Sequence, residues 1–232
     1  MFLFPESLKN ARVLVTNDDG IHAEGINILV NVMAEFSDDV WVVAPELEQS
    51  GAGHSLTLHQ PLRARQLEER RFAVSGTPTD CVLLGAKHLI GQDKPISLLV
   101  SGINHGDNMA EHVTYSGTIA AAMEGTLLNI AFSRAIAGDT TQLSWETSKH
   151  AVRRVINELK GLQWDLGTLM SVNIPDCSVS KIKDIRFASQ VTRSSHEAPE
   201  MRHDPRGRTY YWIGSSDYHN CVHDATTDCA LL

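Results

Sequence analysis

The sequence predicts an α/β protein built on a mostly parallel sheet with helices on both faces. Three observations carry this. Residues 12–16, 40–44 and 96–100 are short apolar runs rich in Val, Ile and Leu, and strands that are apolar throughout belong to sheets covered on both sides. The stretches between them show apolar residues at helical spacing. The chain has 232 residues, 42% hydrophobic and 21% charged, enough for one α/β domain with a core of its own.

The elements follow in order. Arg12–Thr16 reads as the first strand, and it stops at the turn-forming run Asn17-Asp18-Asp19-Gly20. Ile26, Leu29, Val30, Met33 and Ala34 place a helix over 26–36. Val40–Ala44 is a second strand, closed by Pro45. Ser55–Leu58 and Arg63–Gln66 alternate, with a polar break at Glu68–Arg71, and predict short strands or a hairpin. A helix is predicted over Thr79–Leu89, capped by Thr77 or Thr79. Ile96–Val100 is a third strand. Thr118–Leu128 and Ser144–Leu159 are helices, and Met170–Ile174 is a strand closed by Pro175. Beyond Asp176 the chain turns polar, with strands expected at Asp184–Ala188 and Thr209–Ile213.

Charge and composition narrow the function. Twenty basic against 28 acidic residues give −8, which disfavours binding to a nucleic-acid polymer, since that needs a basic footprint. The first ten residues show neither a basic leader nor a long apolar run, so no signal peptide, membrane span or membrane partner is expected, and the cytoplasm is the expected location. Cys221 and Cys229 could pair, but four scattered cysteines without a C-x-x-C motif read better as reduced thiols. G-x-S-x-G, Walker and G-x-G-x-x-G patterns are absent.

Three loops follow the three strands, and open α/β sheets bind ligands beyond the carboxyl ends of their strands. The first loop carries adjacent carboxylates, Asp18 and Asp19. Like charges this close oppose ionisation unless a cation intervenes, and hard oxygen donors suit Mg²⁺ or Mn²⁺. On spacing alone a plain Asn-Asp-Asp-Gly turn fits as well. The second loop, Gln49–His54, combines Ser50 with two glycines. The third, Ser101–Gly106, offers the Asn104 amide oxygen as a ligand or a turn former. Ser116-Gly117-Thr118 precedes an Ala-rich helix, where free N–H groups and the helix dipole attract anions; a ligand-free N-cap uses the same geometry. His22, His54 and His105 lie near these loops, and His22 and His105 are candidates for proton transfer.

Taken together the loops form an ordered set. Residues 15–26, 43–45 with 49–57, 76–82, 100–108 and 115–125 closely resemble the SurE family of stationary-phase survival proteins. The resemblance is dense over about residues 12–128, and Val172–Pro175 and Asp204–Gly207 still fit. It implies a Rossmann-like core over about 12–175 within a single domain of residues 1–232. It also implies a C-terminal extension over about 176–232 with β-hairpin character, used in dimers and tetramers. The implied activity is a metal-dependent 5′/3′-nucleotidase acting on nucleoside monophosphates, with one divalent ion, Mg²⁺ or Mn²⁺, per subunit. By motif match the metal ligands are Asp18, Asp19, Ser50 and Asn104, with one of the aspartates as the base. Asn108, Ser116, Gly117 and Thr118 line the phosphate side. A short-chain polyphosphatase or a catalytically silent nucleotide-binding or assembly protein are the alternatives. Leu128–Ser133 lacks the family's Pro-Ala-Ile step, so the strand there is expected to be short or shifted. The closing residues 219–232 depart furthest from the family pattern.

Overall fold

The computed structural model describes residues 2–130, 132–138, 145–165, 167–191, 199–213 and 225–231. They form two compact units, one of residues up to Asn108 with His112–Ile185, the other of Met109–Glu111 with the chain from Arg186 onward.

The first unit holds a seven-stranded sheet. In chain order its elements are β1 (Phe2–Leu3), β2 (Arg12–Thr16), α1 (Glu24–Phe36), β3 (Asp39–Pro45), β4 (Ala64–Glu68), β5 (Arg71–Val74), α2 (Pro78–Leu84), β6 (Ile96–His105), α3 (His112–Tyr115), α4 (Gly117–Leu127), β7 (Phe132–Gly138), α5 (Trp145–Glu158), β8 (Gln163–Trp164) and β9 (Leu169–Ile174). The sheet order is β4-β5-β3-β2-β6-β7-β9. Every neighbouring pair is parallel except β4 with β5. The mostly parallel α/β sheet predicted from the apolar runs is therefore present.

Residues alternate between two cores, as the two-residue strand period requires. Val13 and Val15 of β2, Val42 and Ala44 of β3, and Leu98 and Val100 of β6 join one cluster, to which α1 and α5 contribute Leu29, Met33, Val152 and Ile156. Leu14, Val43 and Leu99 face the other way, with Cys81 and Val82 of α2 and Ile119, Ala121 and Ala122 of α4. Both faces are buried, so the middle positions of β2, β3 and β6 are mainly apolar, and the buried polar residues Arg12, Thr16 and Ser101 fall toward the strand ends or the site.

Chain connectivity creates a switch point. From β2 the chain crosses through α1 to β3, on one side of β2. After β5 it crosses through α2 to β6, on the other side. The crevice beyond the carboxyl ends of β2 and β6 is where such sheets bind ligands. Pairing of β6 with β7 shifts between Ser101 and Asn104, an irregularity of the kind that re-aims side chains.

Several expectations are corrected. Ser55–Leu58 forms no strand; Asp80 instead accepts bonds from the Thr57 N–H at 3.1 Å and the Thr57 hydroxyl at 2.6 Å, which draw the segment onto α2. Asp184–Ala188 forms no strand either, and Ile185 and Phe187 are exposed. No described strand offers it a ladder. The helix over Thr79–Leu89 stops at Leu84 and ends in a π turn, Gly85–Leu89. Its N-cap is Thr77, in a capping box with Asp80. The strand expected to be short or shifted, β7, has seven residues and pairs on both sides. The β1–β8 pair and α3 carried no periodic signal and were not anticipated.

At the amino ends of the strands, Asp39 accepts from Arg12 Nε at 3.0 Å, Lys94 Nζ at 3.0 Å and Trp41 Nε1 at 2.7 Å. Partial burial pushes this carboxyl up, but the three donors outweigh it and hold it at about 2. A depressed carboxylate stabilises the fold above its unfolded value, near 4, and loses that contribution as pH falls toward 2. The contribution is about 2 kcal/mol. Denaturant melts are expected to show a stability gap between the parent and Asp39→Asn at pH 6 that narrows by about that amount at pH 2.5. A gap independent of pH contradicts it.

In the second unit β10 (Glu200–His203) and β11 (Thr209–Trp212) form an antiparallel hairpin, followed by the short helix α6 (Asp228–Leu231). Asp204 closes the hairpin turn, accepting from the N–H groups of Arg206 at 2.8 Å and Arg208 at 2.9 Å. Thr209–Trp212 matches the predicted strand; its partner β10 was not predicted as a strand. Cys81 and Cys177 are free thiols; Cys221, its suggested pairing with Cys229, and half of the atypical end at 219–232 lie outside the described residues. No helix among the described residues is long and apolar enough to cross a membrane.

Candidate active site

The loops after β2, β3 and β6 converge at the switch point. Gln49 N–H donates to Asp18 O at 2.8 Å, so the second loop is hung directly on the first. Gly53 N–H donates to Tyr115 O at 3.1 Å, which ties it to the start of α4. His105 N–H reaches Asp19 Oδ2 at 3.3 Å, joining the third loop to the first. Asn17 stiffens the acidic turn by donating from Nδ2 to Gly20 O at 3.0 Å.

Asp18 is only 4% exposed. Thr118 Oγ1 donates to Asp18 Oδ1 and lies 3.3 Å from Asn104 Oδ1. One hydroxyl thus bridges two of the expected ligands. Burial pushes the Asp18 carboxyl up, against the opposing pull of the Thr118 hydroxyl and of the Gly117 and Thr118 N–H groups. Asp19 is partly exposed. Burial first, then the neighbouring Asp18 charge, push it up to about 6, although His105 pulls the other way. Among the described residues neither carboxylate has a Lys or Arg partner.

Gly117 allows this approach. A Cβ there would sit 2.8 Å from Asp18 Cβ and 2.9 Å from Asp18 Oδ2, so any side chain would displace the acid. Ser116 caps α4 by accepting from Ile119 N–H at 3.1 Å. The expected phosphate loop is thereby partly committed: Ser116 to its helix, Thr118 to Asp18. Asn108 is 5% exposed. Its backbone is clamped by Asn173, which accepts from Asn108 N–H at 2.8 Å and donates to Asn108 O at 3.2 Å. The Asn108 Nδ2 group is buried without a partner among the described residues.

Asp18, Asp19, Asn104 and Thr118 are therefore brought together. Ser50 lies on the attached loop, but its hydroxyl donates to Glu48 Oε1 at 2.8 Å. His54 and Glu124 were not among the expected site residues, yet their side chains meet at 3.0 Å. A lone carboxylate directly after the apolar run Ala120–Met123 is the signal that could have drawn attention to Glu124. Among the described residues no group of three or more His, Cys, Asp or Glu side chains competes as a metal centre. The donors assembled here are oxygens: two carboxylates, an amide and a hydroxyl. Two carboxylates that burial makes reluctant to ionise are the chemistry a hard divalent cation offsets.

Fold and site together define an open α/β protein with an acidic pair at its topological switch point. The family model for survival protein SurE matches residues 13–197. A protein from Rhodospirillum rubrum named 5′-nucleotidase SurE is 47% identical over 220 residues, covering 93% of this chain and 84% of the relative. One of the same name from Methylobacterium radiotolerans is 48% identical over 207 residues, covering 87% and 81%. The crystal structure of the SurE protein from Aquifex aeolicus matches with a TM-score of 0.80 at 34% identity, over 94% of this chain and 87% of that one. The chain belongs to the SurE family.

Proposed function

We propose that this protein is a divalent-metal-dependent 5′-nucleotidase that hydrolyses nucleoside monophosphates to nucleoside and phosphate. The observation that carries it is the pairing of two carboxylates, one nearly buried and neither with a Lys or Arg partner among the described residues, with Asn104 at the switch point. The names of the relatives support the same reading. Asp18, Asp19, Asn104 and Ser50 would hold the ion, Mg²⁺ or Mn²⁺. Ser50 would turn from Glu48 to do so. When bound, such an ion neutralises phosphoryl charge and lowers the pKa of a water.

The chain's own residues divide the remaining work. Thr118 and the α4 N-terminus orient Asp18. Asp19 receives one backbone N–H on Oδ2 and is the more exposed of the two acids, which supports giving it the role of taking a proton from the attacking water. The water oxygen bonds to phosphorus, the P–O ester bond breaks, and the leaving nucleoside oxygen takes up a proton. Asn108 Nδ2, buried and without a partner among the described residues, is the donor offered to the phosphoryl oxygens, since the Gly117 and Thr118 N–H groups are spent on Asp18. Self-association as a dimer or tetramer belongs to the same reading. The exposed Tyr211, Trp212 and Ile213 at β11 are the apolar surface it would cover. Cytoplasmic action is also part of it.

The test is hydrolysis of AMP, GMP, p-nitrophenyl phosphate and short polyphosphates by purified protein with Mn²⁺, with Mg²⁺ and with EDTA. Nucleotide turnover that EDTA abolishes and metal restores is expected. Absent turnover, or turnover indifferent to EDTA, overturns the proposal, and a preference for polyphosphate reassigns the substrate.

A further inference from the structure

The loop that carries Ser50 has little of its own to hold its shape. Gly51 and Gly53 take left-handed backbone angles, φ +74° and +54°, and a Cβ on Gly51 would meet nothing within 4 Å. Such a segment gains order from its attachments rather than from packing. Two backbone bonds attach it, Gln49 N–H to Asp18 O and Gly53 N–H to Tyr115 O. A side-chain attachment comes from His54, whose Nε2 lies 3.0 Å from Glu124 Oε2.

Glu124 is an unusual anchor. It is 8% exposed on α4, a helix whose neighbouring positions 120–123 are Ala, Ala, Ala and Met. Thr118, which bridges Asp18 and Asn104, stands six residues earlier on the same helix, about 9 Å along its axis. His54 therefore fastens the Ser50 loop to the element that also sets the position of Asp18.

We propose that His54, through Glu124, is a positioning residue for the divalent-metal site: it holds the 49–54 loop so that Ser50 can reach the ion shared with Asp18 and Asn104. The proposal rests on the nucleotidase reading above. Loss of an outer group that orients a ligand typically weakens metal binding by 10- to 100-fold. Since His54 acts through a loop rather than on the ligand itself, the expected effect is at the low end, about 10-fold.

The experiment is calorimetric titration of the full-length, metal-free protein with Mn²⁺, run on the parent, His54→Ala, His54→Gln, Glu124→Gln and Asp18→Asn, with thermal melts of each. Expected are binding by the parent, none by Asp18→Asn, about tenfold weaker binding by His54→Ala, and recovery by His54→Gln, whose amide can still donate to Glu124. Glu124→Gln, a neutral acceptor of equal size, should weaken binding by less than His54→Ala, and it decides the matter if His54→Ala does not fold. A purely structural role would lower the melting temperature of His54→Ala without moving Mn²⁺ affinity measured well below it; that result overturns the inference and leaves the metal reading standing. A parent that binds neither Mn²⁺ nor Mg²⁺ overturns both.

Discussion

Replacing Asp18 or Asp19 with asparagine is expected to lower nucleotide hydrolysis about 1,000-fold or more while the protein stays folded. The substitution keeps the shape and removes one charge. For Asp18 that charge sits at 4% exposure, where an electrostatic interaction is far stronger than in water. A loss of several kcal/mol of charge stabilisation corresponds to about three powers of ten in rate. The stability readout separates this from unfolding. An acid whose folded value is raised, as Asp19 is to about 6, weakens the folded state progressively as pH rises from about 4 to 6, and by a constant amount above that. In EDTA at pH 7, Asp19→Asn should therefore melt no lower than the parent. Screening at this partly exposed position limits the gain to about 1 kcal/mol. Added Mn²⁺ should raise the melting temperature of the parent and not of the variant. Retention of a tenth or more of the parent rate by both variants would refute the site assignment.

Gly25→Ala is expected to damage both fold and site, against the helix propensity of the two residues. Gly25 lies in the first turn of α1, where alanine would ordinarily favour the helix by up to about 1 kcal/mol. Here an added Cβ would sit 2.0 Å from Ile103 O, a backbone atom of β6. A backbone atom cannot rotate away, so α1 and β6 must separate. Overpacking of this kind costs about 3 kcal/mol, and the net loss after the propensity gain is about 2 kcal/mol. The clash lies one residue from Asn104. A displacement near 1 Å at that position is enough to cost about 100-fold in rate. Urea melts and kcat on AMP check the two effects. A variant more stable than the parent with unchanged kcat would show that the close approach does not matter.

Much of the architecture was legible because its signals are local. The apolar runs at 12–16, 40–44 and 96–100 became the central strands β2, β3 and β6, and helices α1, α4 and α5 start and stop within two residues of their periodic patterns. Turn and cap chemistry was legible too, in Asn17–Gly20 and in Thr77 before Pro78. What escaped was pairing that depends on distant residues. Phe2–Leu3 is a strand because Gln163–Trp164 lies beside it. Ser55–Leu58 is not one because Asp80 takes its donors, and the alternation seen there has no ladder to join.

The site divides along the same line. By itself the sequence determined its chemistry: two adjacent carboxylates, a serine loop, an asparagine and a helix start, with no Lys or Arg among them. It also determined that these groups sit at strand ends. Only the tertiary structure decided how they meet. Thr118, matched by motif to the phosphate side, turns its hydroxyl to Asp18, and Ser50, matched as a metal ligand, rests against Glu48. His54 finds its partner seventy residues away. Residue type and local spacing specify what a side chain can do, whereas hydrogen bonds across the crevice depend on where the β2–β6 switch point places each backbone, and spacing along the chain carries no record of that.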